Sequence, residues 1–333
     1  MQKRTMIMAG LAAGILAALA GCKNEAPTAK QQAAEALMPI GVVQIVQHQA
    51  LDEASRGIVD GLAERGYKDG VNIKLDIQNA QGDQSNLHNI VNRFISDKSR
   101  VIFAVATPAA QSAASATKTI PIVATAVTNF EIAKLAKSNE HPGGNVTGVS
   151  DINPVADQLK LLLELDPNVK AVAALYNSSE VNSEFQVGLL KKAAAELGVE
   201  VVDATVTNVN EIPQVVRNVV GRVQGIYVPT DNVIASALPA VMKVAVPAHL
   251  PVIAGEGEPV RGGALASIGV DYYELGKMTG RMGADILDGK AKPADMPIQS
   301  QVSDKVIVNM KTAHAIGMTI PESVMKRAEK VGE

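Results

Sequence analysis

The chain has 333 residues, 47% of them hydrophobic and 20% charged, with 31 basic against 34 acidic side chains and a net charge of −3. This is globular composition at a length that suits two domains, which excludes wholesale disorder. There is no cationic surplus to meet phosphates and no Trp for base stacking, and a single Cys supports neither a disulfide framework nor a multi-cysteine metal site, so nucleic acid and metal are both disfavoured as partners.

The first residues are Met1-Gln2-Lys3-Arg4, then an apolar run from Met6 to Ala20, then Gly21-Cys22. A short positive head before about 15 apolar residues is a secretory signal, too short to span a bilayer comfortably. Leu19-Ala20-Gly21-Cys22 resembles the lipobox of bacterial lipoproteins. That resemblance implies cleavage before Cys22 and acylation of its thiol and new amine, each buried CH₂ adding about 0.8 kcal/mol of membrane affinity. Residues 1–21 are therefore expected to be a signal peptide and 22–37, polar and Ala-rich, a flexible tether. The expected location is the cell envelope, anchored to a bacterial membrane and facing the periplasm or the exterior.

Folded structure should begin near Met38. The run Ile40–Ile45 predicts a buried strand, and Ala54, Ile58 and Leu62 share one face of a helix over Leu51–Arg65. Val71–Ile77 alternates strictly, as a strand with one wetter face does. Leu87, Ile90, Val91, Phe94 and Ile95 form a second helical stripe, and Val101–Ala106 a third strand. Further strands are expected near 121–127, 171–176, 199–206, 225–228, 251–254 and 264–268. Helices fall near 108–117, 154–165, 184–197, 210–221 and 232–246, with a last long one over Tyr272–Leu287. Such alternation makes parallel sheets with helices on both faces. The strand count exceeds one doubly wound sheet, so the body divides into two α/β lobes at the turn-rich His141–Gly148. The N-terminal lobe is expected to hold 38–148 plus 270–300, and the C-terminal lobe 149–269 plus 301–333.

Ligands of open parallel sheets sit beyond the carboxyl ends of strands. The turns there carry Gln47, His48 and Leu51; Thr107, Pro108, Ala109 and Ala110; and Thr128, Asn129 and Phe130. The second half supplies Tyr176, Asn177, Ser179, Glu180, Asn182 and Ser183; Thr230, Asp231 and Asn232; Gly255; and Asp271. Thr107 suits a helix N-cap and Pro108 the first helical position, leaving N–H groups near Ala109 and Ala110 for an anion. Asp231 or Glu180 suits an ammonium, so the set fits an amino acid zwitterion held by hydrogen bonds to charged groups of roughly 1.5–3 kcal/mol each. No His-Glu-x-x-His, Walker loop, Gly-x-Ser-x-Gly or dinucleotide fingerprint occurs. An enzyme, a cofactor and a metal are therefore not expected.

The stretch Ile40–Asp52 through Asp60-Gly61-Leu62 resembles the start of the substrate-binding proteins of ATP-driven (ABC) importers whose members are linked to tryptophan or tyrosine. So do Ala106–Gln111, Asn145–Asp151, Tyr176–Ser183, Tyr227–Asn232 and Asp271–Gly276. The resemblance spans roughly 39–320 with its six motifs in order. It implies the type I periplasmic binding protein fold, with two Rossmann-like lobes, three crossovers and a ligand cleft between them. By motif, Thr107 and the N–H groups near Ala109 and Ala110 would bind the ligand carboxylate. Residues Asn177, Ser179, Glu180, Asn182 and Ser183 would meet it from the second lobe, and Asp231 would pair with its amine. The family usually has Glu-His-Pro where this chain has Gln47-His48-Gln49, and often Thr-Asp-Pro where it has Thr128-Asn129-Phe130. Phe130, Tyr176, Tyr227 and Tyr272 are the aromatic candidates for lining the pocket. The implied partners are a small solute, an aromatic amino acid favoured, and the permease and ATPase subunits. A nucleoside, purine or sugar ligand, or a sensor role beside a membrane kinase, remains open at this level.

Overall fold

Strand formation starts where the apolar run does, at Met38, in a computed structural model that describes residues 37–301 and 305–332. The signal peptide, the Cys22 acylation site and all of the tether before Leu37 lie outside the described residues. The first lobe runs β1 (Met38–Gln44), α1 (Gln49–Glu64), β2 (Ile73–Asn79), α2 (Gln84–Ser96), β3 (Val101–Val105), α3 (Thr107–Ala116), β4 (Ile122–Val127) and β5 (Val146–Ser150). The second runs α4 (Val155–Leu165), β6 (Ala171–Asn177), α5 (Val181–Leu197), β7 (Glu200–Val206), α6 (Ile212–Val219) and β8 (Gly225–Val228). It continues with α7 (Asn232–Ser236), α8 (Leu238–Ala245), β9 (Val252–Ala254), α9 (Glu258–Arg261) and β10 (Ala266–Ile268). After these come α10 (Tyr272–Leu287), β11 (Gln299–Ser300), β12 (Val306–Asn309), α11 (Met310–Ala315), α12 (Glu322–Met325) and β13 (Ala328–Val331).

Two sheets result. One has six strands in the order β11-β5-β4-β3-β1-β2, the other seven in the order β13-β12-β10-β9-β8-β6-β7. Among the described residues all pairs are parallel except β10 with β12. The chain crosses between sheets after β5, returns before α10, and crosses again between β11 and β12. Helix α10 belongs to the first lobe because Leu275 and Met282 join that lobe's core. It lies against α1 with backbone on backbone: a Cβ on Gly276 would fall 2.1 Å from the Ala54 carbonyl oxygen. The second sheet is covered on both faces by separate cores, one around Leu159, Leu190 and Val308, the other around Ile212, Ile226 and Val241.

Besides α9 and the elements after α10, which the sequence reading did not resolve, the element pattern departs from it in three places. The turn-rich segment ending at Gly148 runs on into β5, which is completely buried. Gly148, at φ 156, lets this strand approach the Ala124 carbonyl as no larger residue can, and the division at 148 cuts a strand that lies wholly in the first sheet. The helix read over 232–246 breaks at Ala237, because Pro239 starts α8 afresh and has no N–H to continue the earlier ladder. The alternating strand is shifted to Ile73–Asn79, since Val71 and Asn72 close a turn onto the Lys68 carbonyl.

Candidate functional site

Both sheets have the same local order, β2-β1-β3-β4-β5 and β7-β6-β8-β9-β10. The direction of winding reverses between β1 and β3 and between β6 and β8, and a crevice opens outside the carboxyl ends at such a reversal. The residues that follow β1, β3, β6 and β8 are Ile45–His48, Ala106–Thr107, Ser178–Glu180 and Pro229–Asp231.

On the first lobe, Ala106 sits at φ 82 and Ala126 at φ 55, left-handed conformations that alanine rarely adopts. Ala106 turns the chain abruptly into α3. The Thr107 hydroxyl is buried there without a hydrogen-bond partner. Ala109 leads with a backbone N–H in the first helical turn, whereas the Ala110 N–H already donates to the Ala106 carbonyl, so of the two alanines only Ala109 has the donor the sequence reading assigned.

The second lobe presents a finished network. Asp231 caps α7 by accepting from the Ile234 N–H at 2.9 Å, and its other oxygen accepts from the Asn177 N–H and the Ser183 hydroxyl, both at 2.7 Å. Glu180 accepts from the N–H groups of Asn232 and Val233 and from the side-chain amides of Asn182 and Asn232, placing a carboxylate at the N-terminus of α7. Burial pushes both carboxyls up, and Asp231 raises Glu180 further. The Asn182 amide nitrogen reaches the Thr230 carbonyl at 2.9 Å, while its oxygen is buried without a partner.

Across the gap, the Thr128 hydroxyl lies 3.3 Å from that of Thr230 and accepts from the Gln186 amide at 3.2 Å. His48 Nε2 stands 3.5 Å from Asn232 Oδ1, and burial holds the ring down to about 4, hence neutral at physiological pH. Towards the hinge, Tyr272 donates to Asp151 at 2.6 Å. Asp151 Oδ1 and Glu256 Oε2 are buried without partners. Burial raises Asp151 and pushes Glu256 up to about 8, and repulsion from Asp151 and Glu258 adds to the rise of Glu256. Among the described residues no cluster of His, Cys, Asp and Glu has the spacing to hold a metal ion.

The lobes enclose a central void of about 10 Å³ lined by His48, Leu51, Asp151, Asn182, Thr230, Asp231, Asn232, Glu256 and Tyr272, among others. A recess beside it is lined by Thr107, Asn129, Val181, Asn182 and Phe185. A flank cavity of about 310 Å³ is bounded by Pro108, Asn177, Ser179, Glu180 and Asn232, together with Ile45, Val46 and others.

The remaining sequence candidates lie elsewhere. Phe130 is fully buried in the first lobe's core and offers no ring to the cleft. Tyr227 is buried in the second lobe with its hydroxyl on Gln158, and Tyr176 points to Asp203. Of the four aromatic candidates only Tyr272 lines the central void. Gly255 is a close-packing residue whose added Cβ would meet the Pro229 and Thr230 backbone at 2.9 Å. Asp271 is the exposed cap of α10 and Ser183 a buried strut under Asp231. Gln47 is exposed and bonded to Asp52. Sequence reasoning placed His48 in the first turn without giving it a role, and left Asp151, Glu256 and Phe185 out of the site. An acid within two residues of the end of a buried strand, as Asp151 after β5 and Glu256 after β9, is the signal that finds the two acids.

Two sheets wound alike around a polar crevice, with three chain crossings, define the type I periplasmic binding fold of solute receptors. The chain belongs to the ABC transporter substrate-binding protein family, whose pattern matches residues 39–332. It is 41% identical over 325 residues to a tyrosine-binding protein of Clostridioides difficile, covering 96% of this chain and 94% of that one. A Streptococcus pneumonia ABC domain solved in complex with L-Trp is 43% identical, with a TM-score of 0.85 over 89% of this chain and 99% of its own. The ligand-free, open structure of a substrate-binding protein with adhesive properties from Clostridium difficile has the same identity and coverage but a TM-score of 0.68. At equal identity and coverage, the present structure lies nearer the ligand-bound form, in keeping with the side-chain bridges between its lobes.

Proposed function

We propose that this protein is the lipid-anchored receptor of an ABC importer and that its solute is an L-amino acid, an aromatic one favoured. One observation carries the amino-acid reading. Around the central void and its recess, the oxygens Asp151 Oδ1, Asn182 Oδ1 and Glu256 Oε2 are buried acceptors without donors. Buried acceptors of this kind are costly unless something donates to them, and an ammonium has three N–H groups. The Thr107 hydroxyl and the first turn of α3 supply donors for the carboxylate. The zwitterion's amine thus goes to Asp151 and Glu256, and Asp231, whose oxygens already accept three hydrogen bonds, acts beneath them as a strut. The names of two relatives, one tyrosine-binding and one solved with L-Trp, support an aromatic side chain.

Binding is a closure: the ligand bridges the two lobes and biases the closed arrangement, which then docks on the permease and its ATPase. No bond is made or broken. The anchor rests on Leu19-Ala20-Gly21-Cys22. Calorimetric titration of purified protein with tyrosine, tryptophan and phenylalanine, against leucine, adenosine and glucose, tests the reading. Binding of an aromatic amino acid with no heat from the nucleoside or sugar is expected. Binding of the nucleoside or sugar alone would overturn it.

A further inference from the structure

The charged end of an amino acid accounts for the orphaned oxygens and leaves its side chain to be placed. Resting on the amino-acid reading above, we propose that the 310 Å³ flank cavity is the side-chain chamber, and that it grips an aromatic ring between aliphatic walls instead of stacking it on a protein ring. Ile45 and Pro108 form the first-lobe wall, and Val181, Val209 and Val233 the second-lobe wall. Among the described residues no Phe or Tyr lines the cavity.

Connectivity selects this cavity. It shares Val181 with the Thr107 recess and Asn232 with the central void, so a ligand whose charged groups lie there extends directly into it. The cavity on the opposite flank, about 190 Å³, reaches the central void through His48 but shares no lining residue with the Thr107 recess, so it meets only one end of the charged group. The volume of the chosen chamber stands at the lower end of ligand pockets, which run from about 300 Å³ upward, a size for one side chain. Val209 is 41% exposed, so a ring laid on it removes apolar surface of both partners from water. At the rim, the Gln81 and Gln84 side chains make no hydrogen bond among the described residues. A carboxamide both donates and accepts, so this rim suits a phenol hydroxyl and an indole N–H alike.

Two single variants test the placement, Val209→Trp at the exposed edge and Val233→Phe on the α7 wall, each narrowing the chamber. Titration with L-tyrosine and L-tryptophan is compared with wild type, and a thermal melt of each variant reports folding. Each folded variant is expected to lose affinity for both ligands by tenfold or more, about 1.4 kcal/mol. Wild-type affinity retained in the folded variants would put the ring elsewhere and overturn the chamber while leaving the amino-acid reading intact. A wild-type protein that binds no amino acid would instead overturn the reading on which the chamber rests.

Discussion

The two walls of the cleft are built on opposite principles. The first-lobe wall is small and nearly bare: Ala106, Thr107, Pro108, Ala109 and Ala126 expose backbone and one hydroxyl, two of them in left-handed conformations. The second-lobe wall is crowded with polar side chains that bond mainly to one another. Glu180, Asn182, Ser183 and Asp231 are locked into a network that holds the start of α7. One wall is pre-organised and largely satisfied, and the other keeps donor capacity in reserve. Closure on a ligand therefore adds its new hydrogen bonds on the first lobe and at the hinge-side acids, while the second lobe acts as the template.

That contrast breaks most visibly at Asp231. Replacing it with Ala removes an acceptor from three buried donors and should destabilise the protein by about 3 kcal/mol, with ligand binding lost alongside. Chemical denaturation measures this, and a variant as stable as wild type would show that the network is not a strut. Thr107→Val probes the other wall. Its hydroxyl has no hydrogen-bond partner among the described residues, so stability should change by no more than about 0.5 kcal/mol while ligand affinity falls about tenfold. Loss of stability without loss of affinity would reverse the roles assigned to the walls.

How legible this was in the sequence depends on what each residue answers to. The strand–helix alternation, the return of Tyr272–Leu287 to the first lobe and the turns that make the cleft are local or topological facts, and period and position carry them. The strand Val146–Ser150 was hidden because its pairing with Ile122–Val127 is tertiary and depends on Gly148. Phe130 was misplaced because the chain beyond β4 turns its ring back into the lobe core, an orientation that spacing does not encode. Asp231 and Asp151 are both acids at strand ends. Only the three donors already on Asp231 and the orphaned oxygen on Asp151 separate strut from ligand site.

The smallest effect, and the one that joins the two walls, is in pH. Burial pushes Glu256 up to about 8, and it also raises Asp151, Glu180 and Asp231. A carboxyl raised on folding keeps its proton in the native state after the unfolded chain has released its own. Its contribution is full below the unfolded value and is lost as pH rises through the folded one. His48 acts in the opposite sense, since burial lowers it from 6.5 to about 4 and its contribution is lost as pH falls across that interval. Above 6.5 only the carboxyls remain in play, so the ligand-free protein should lose stability between pH 6.5 and 8. Glu256→Gln should remove about 1 kcal/mol of that loss, seen as a flatter dependence of melting temperature on pH. Ligand affinity should move the other way. An ammonium beside Glu256 favours its ionised form and expels the proton, so wild-type binding should tighten as pH rises through the same window, and the Gln variant should respond less. A pH response of binding equal in both proteins would remove Glu256 from the ammonium site.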